Sequence, residues 1–190
     1  MTRMSSVEEL RAGATEAACQ HHYKQAARLY AQLLRERPDD VPALLALAYL
    51  YFGALRREWD AEPLYERAAT LAPTDCEALF WSAWNKIIFY GLADDLVLAR
   101  NRLERILSID PDNGNGYTSH ASRLLASETF SPELASEQRL ELLRRAVELA
   151  PDLPHHHEDL ASWYEEHGRL EEALSELRLA LRHTTPYIEA

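Results

Sequence analysis

The chain has 190 residues, 20 basic against 31 acidic, and a formal net charge of −11. Such a balance argues against nucleic-acid binding, which needs a basic face, and against an anionic membrane surface. A hydrophobic fraction of 47% is enough for a packed core, and the polar start MTRMSSVEEL together with the lack of a long apolar run predicts neither a leader nor a membrane span. Two cysteines, Cys19 and Cys76, lie far apart, so a disulfide framework is not expected and a reducing, cytoplasmic setting is.

In chain order, the apolar spacing predicts helices in pairs. The first pair carries Leu10 and Ala14, then Ala26, Tyr30 and Leu33, and ends at Pro38. The second carries Leu44, Leu47, Ala48 and Tyr51, then Ala61, Tyr65 and Ala68, with one extra residue in its turn, and ends at Pro73. The third has Leu79 and Ala83, then Ala99, Leu103 and Ile106 before Pro111, with extra residues near 91–95. The fourth has Tyr117, Ala121 and Leu124, then Leu143 and Ala146 before Pro151. It holds a further insertion at 127–138, where Ser131-Pro132-Glu133 predicts a capped helix start that would lengthen the second helix. That insertion is either a longer loop or an edge projecting toward a partner. The four prolines are spaced 35, 38 and 40 residues apart, each followed by an acidic or small polar pair. A period in this range predicts a stacked helical-repeat protein.

The last segment, from Pro154, is the most regular. Leu160, Ala161, Tyr164, Gly168, Ala173, Leu177 and Ala180 fall at offsets 7, 8, 11, 15, 20, 24 and 27. The small residues permit close helix approach and the larger ones fill the space between. This pattern resembles the tetratricopeptide repeat, a helix–turn–helix unit of about 34 residues. The resemblance covers nearly the whole chain and implies an all-α, right-handed α-solenoid forming a single domain. Its five repeats are expected at about 7–40, 41–75, 76–113, 114–153 and 154–185.

The resemblance further implies a concave groove lined by the first helix of each repeat. Mapped onto this sequence, the groove would hold Tyr49, Phe52, Glu77, Trp81, Trp84 and Ile88, then Glu158 and Asp159 nearer the C-terminal end. The third repeat's first helix, CEALFWSAWNKIIFYG, is apolar on more than one face, and Phe80 adjoins its groove positions. Lys86 fits the family phase badly. A shift by one residue would put Trp81, Ser82, Asn85, Ile88 and Phe89 in the groove, and Trp81 and Ile88 face it in either phase. The aromatics are either a binding patch or core. The clamp that some relatives use for acidic chaperone tails is not expected, since the matching positions hold Arg11, Thr15, Ala46, Glu77 and Trp81.

The function expected is that of a non-enzymatic adaptor or chaperone-like accessory protein. It would bind an apolar peptide or protein segment, with basic residues favoured beside Glu77, Glu158 and Asp159. The competing expectation is a self-associating module, a homodimer whose end is Leu174 and Leu181 on the last helix. No cofactor is expected, since no phosphate loop, HExxH, CxxC or GxSxG is present. His155-His156-His157 attract a metal hypothesis, but consecutive helical residues diverge. Only His155 and Asp159 share a face, so no metal site is expected. Gly114-Asn115-Gly116 is expected to be a turn.

Overall fold

The computed structural model describes residues 6–89, 93–109, 111, 117–127, 129–130 and 134–184. These residues form ten α-helices and no strand: α1 (Ser6–Cys19), α2 (Tyr23–Glu36), α3 (Val41–Tyr49), α4 (Glu58–Leu71), α5 (Cys76–Phe89), α6 (Ala93–Ile109), α7 (Tyr117–Leu125), α8 (Ser136–Leu149), α9 (Pro154–Glu166) and α10 (Leu170–Thr184). No helix among them is long and apolar enough to cross a membrane. The chain divides into two compact units, Met1–Tyr90 and Gly91–Ala190.

The recurring prolines act as the sequence requires. Helices α2, α4, α6 and α8 each stop two residues before one of them. Proline disfavours helical backbone in the residue ahead of it. Arg37, Ala72 and Ala150 accordingly leave the helical region, with φ/ψ of −130/83°, −124/71° and −145/73°. In the first unit, an aspartate two residues past the proline opens the next helix. Asp40 accepts a hydrogen bond from the Ala43 amide at 3.0 Å, and Asp75 accepts one from the Ala78 amide at 3.1 Å. Each satisfies an amide that the first turn leaves without a partner.

In the first unit α1 packs on α2, α2 on α3, α3 on α4 and α4 on α5. The core contains the small residues Ala14, Ala26, Ala43, Ala48, Ala61 and Ala68 at zero exposure, with Leu33, Leu44 and Tyr65 between them. The extra residue expected in the second repeat's turn is absorbed as a π-helical turn, Leu50–Ala54, closed by Leu55 N donating to Leu50 O at 2.9 Å. The three described turns within pairs share one device, a residue in the left-handed region: His21 (φ 60°), Arg56 (φ 53°) and Gly168 (φ 71°). Only the last of them is glycine, the residue that adopts this conformation without steric cost.

In the second unit α6 packs on α7, α7 on α8, α8 on α9 and α9 on α10. The predicted lengthening of the helix after the 127–138 insertion is corrected. Helix α8 begins at Ser136, and its N-cap Ala135 is extended. It has 14 residues, the same as α2 and α4. The segment Ser131-Pro132-Glu133 lies outside the described residues, as do Gly114-Asn115-Gly116 and 91–92. Part of the insertion is anchored rather than projecting. Phe130 is 3% exposed, its carbonyl accepts from Arg100 Nη2 at 3.2 Å, and the Arg100 guanidinium lies 5.3 Å above its ring. Arg139 stands where the family pattern has alanine. Its Nε donates to Ala126 O at 3.0 Å and its Nη1 to Glu166 Oε2 at 2.8 Å, so the guanidinium ties the start of the insertion to α9.

Candidate functional site

Helices α1, α2, α3 and α5 enclose a groove of about 580 Å³ in the first unit. Ala18, Tyr23, Tyr30, Val41, Pro42, Leu45, Ala46, Tyr49, Leu50 and Trp81 give it an apolar lining, and Asp75 and Glu77 supply two carboxylates. The Asp75 carboxylate is engaged at the start of α5, whereas Glu77 is exposed. The α5 end of the groove is therefore its acidic end.

Of the sequence-predicted residues, the groove brings together Tyr49, Glu77 and Trp81. Tyr49 is 58% exposed and meets Trp81 edge to face, with ring centroids 5.9 Å apart. Phe52 tilts against the same indole at 6.3 Å. Trp84 stacks on Phe80 at 6.1 Å, and Ile88 is 48% exposed, but neither lines the groove. Trp81 joins groove and core, since it also stacks on the buried Tyr65. Both proposed phases of α5 need correction. Phe80 is buried, which removes it from the groove in the first phase, and Ser82 and Asn85 are buried, which removes them in the second. Ser82 and Lys86, one turn apart, face Glu66 and Glu62 of α4. Ser82 Oγ donates to Glu66 Oε1 at 2.6 Å, and Lys86 Nζ donates to Glu62 Oε1 at 3.2 Å. The polar residues of α5 are thus turned inward beside the buried Ala78, Leu79, Phe80 and Ala83.

Tyr23, Val41 and Pro42 were not singled out by sequence. Each sits at a helix N-terminus, outside the positions that the family pattern assigns to the groove.

The predicted acidic end behaves differently. Glu158 is exposed on α9, but Asp159 Oδ2 pairs with Arg123 Nε of α7 at 2.5 Å. That pair, with Arg139–Glu166 at 2.8 Å, lines a polar cavity of about 340 Å³ in the second unit. The Asp159 charge is already met by an internal cation. The predicted dimer end is on α10, where Leu174 is 53% and Leu181 64% exposed, beside Leu170 and Leu177.

The reading of the histidines is corrected. His155 and His156 do approach one another, with ring centroids 4.5 Å apart, and a third ring joins them from α7. His120 stacks on His155 at 5.7 Å and meets His156 edge-on at 5.5 Å. One ring nitrogen from each of the three lies within 4.8 Å of the others. His156 is fully buried, and neither of its ring nitrogens makes a hydrogen bond of good geometry. Burial, reinforced by the two neighbouring histidines, pushes His156 down to about 4, against a poor backbone hydrogen bond at Ala150. Burial likewise lowers His120 and His155. His157 is separate, with Nδ1 on Glu176 Oε2 at 2.7 Å and Nε2 on the Pro151 carbonyl at 2.8 Å.

No family model and no curated protein matches the chain. Solved structures do. MamA 41-end from Desulfovibrio magneticus RS-1 superposes with a TM-score of 0.74 at 15% identity, over 98% of this chain and 100% of that one. The MamA RS-1 ArsTM double mutant gives 0.74 at 16%, over 96% and 97%. A thermophilic TPR protein of Thermus thermophilus gives 0.66 at 19%, over 96% and 93%. With its paired helices, proline-closed repeats and these likenesses, the chain has the tetratricopeptide-repeat fold, an all-α solenoid of helix–turn–helix repeats.

Proposed function

We propose that this protein is a non-enzymatic interaction scaffold whose first unit binds a peptide segment of a partner protein. The observation that carries the reading is the apolar groove between α1, α2, α3 and α5, where Tyr49 is left largely exposed beside Trp81. An exposed aromatic facing a concave apolar surface is what a ligand side chain covers. The segment inserts an apolar side chain against Tyr49, Phe52 and Trp81, and places a Lys or Arg near Glu77. Trp84 and Ile88 extend the same helix surface beyond the groove. Glu158 and Asp159 stand on the second unit, and the reading does not depend on them.

A peptide library panned on the full chain tests this. Selected peptides should carry an apolar residue close to a Lys or Arg. Tyr49→Ala and Trp81→Ala should each weaken the best binder by roughly 30-fold. Unchanged affinity in both variants would reject the groove as the site.

A second reading, self-association, is favoured by one observation. Leu170, Leu174, Leu177 and Leu181 are 60%, 53%, 41% and 64% exposed and recur along one face of α10. Two copies meeting there would bury this stripe about a two-fold axis. Light scattering over a dilution series distinguishes the readings, since a constant monomer mass excludes the dimer.

A further inference from the structure

We infer that His120, His155 and His156 form a site for a divalent first-row transition metal of the zinc class, held by three imidazoles. Two observations point the same way. The first is convergence: α7 supplies one ring and the first turn of α9 two, and one nitrogen of each lies within 4.8 Å of the others. A bound zinc ion holds its imidazole nitrogens at about 2.0–2.1 Å. Small rotations of three rings already in contact would be needed to close the gap.

The second is the state of His156. It is 0% exposed, and neither ring nitrogen makes a hydrogen bond of good geometry, the Ala150 backbone giving it only a poor one. Buried polar atoms almost always have well-formed partners, so a fully buried imidazole without one calls for an explanation. A metal ion on one nitrogen supplies it.

The donor set selects the metal class. Three nitrogens without thiolate suit zinc, nickel or copper ions rather than the hard, oxygen-seeking magnesium or calcium. Three protein ligands leave a fourth position for water or an external donor. Arg123 adds positive charge near all three rings, which works against a cation, but it is paired with Asp159.

His120 on α7 meets His155 and His156 at the start of α9, the first helix of the next repeat, although the step between these two repeats is 40 residues and the three are not equivalent positions.

The test is a calorimetric titration of the chelator-treated full chain with zinc chloride alone, followed by thermal melts with and without one equivalent. The site predicts saturation near one ion per chain and a raised melting temperature. His120→Ala and His155→Ala, each partly exposed and thus tolerant of truncation, should weaken binding by at least about tenfold and abolish the thermal shift. His21→Ala, on the first unit, should leave both unchanged. No saturable binding, or binding as tight in the His120 and His155 variants as in the parent, would overturn the assignment.

Discussion

The indole of Trp81 stacks on the ring of Tyr65, with centroids 6.1 Å apart and planes 16° apart. Tyr65 is 1% exposed, in the core, whereas the other side of the Trp81 environment is the groove. In the proposed reading, binding and folding share this side chain. Trp81→Ala should cost about 2 kcal/mol of stability, less than a fully buried Trp because the ring is only partly covered. Tyr49→Ala, at an exposed position, should change stability by no more than about 0.5 kcal/mol. Urea unfolding of both variants checks this. A Trp81 variant as stable as the parent would show that the stack contributes nothing to the fold.

Lys86 is the most buried cation described in the first unit, with its side chain 9% exposed between Glu62 and Glu66. One carboxylate can be lost while the other remains. Glu62→Ala alone should cost about 1 kcal/mol. The double change Glu62→Ala/Glu66→Ala leaves a buried ammonium without either carboxylate and should cost about 3 kcal/mol. Additive, small losses in a denaturation series would mean that Lys86 reaches solvent.

Arg56 occupies a left-handed backbone position, and its side chain is 82% exposed in a long 3.5 Å pair with Glu58. Arg56→Gly removes the steric cost of that conformation and loses little else. It should raise stability by about 0.5–1 kcal/mol, the strain relieved exceeding the added freedom of the unfolded chain. The reverse change, Gly168→Ala, should lower it by a similar amount although there is open space for the added methyl, because the strain is in the backbone. Thermal melts of the two single variants would show opposite signs.

The two helix-capping aspartates are unequal. Asp75 caps α5, whereas Asp40 caps α3 and also pairs with Arg11 of α1. Asp75→Asn should be nearly neutral for stability, since Asn caps as well as Asp. By removing a groove carboxylate it should still weaken a basic peptide. Asp40→Ala should cost about 1–2 kcal/mol. Comparing urea midpoints with peptide affinities separates the two roles.

Much of this was legible in the residues. The prolines marked every second helix end up to α8, because proline acts on local backbone and needs no tertiary context. Trp81 was legible as a groove residue because it faces the groove in either phase of α5. Ser82 and Asn85 were not, because a polar side chain reads as exposed unless its surroundings are known. The partner of Ser82, Glu66, lies on a different helix. The histidine cluster was missed for a related reason. Within α9 alone the neighbouring rings diverge in principle, and the third comes from the preceding repeat. No spacing rule marks the cluster, since the step between these two repeats is 40 residues and His120 and His155 are not equivalent positions.

The π turn at Leu50–Ala54 works as a register adjuster. Each residue added to or removed from a helix rotates the rest of that helix by about 100° around its axis. The surplus residue in this turn therefore decides which side chain after Tyr49 points at α5. With it, Phe52 lies against Trp81. Excising one residue there would restore ordinary winding and turn Phe52 away by more than a quarter of a revolution. A single-codon deletion could thus redraw the rim of the groove while leaving every helix of the repeat in place.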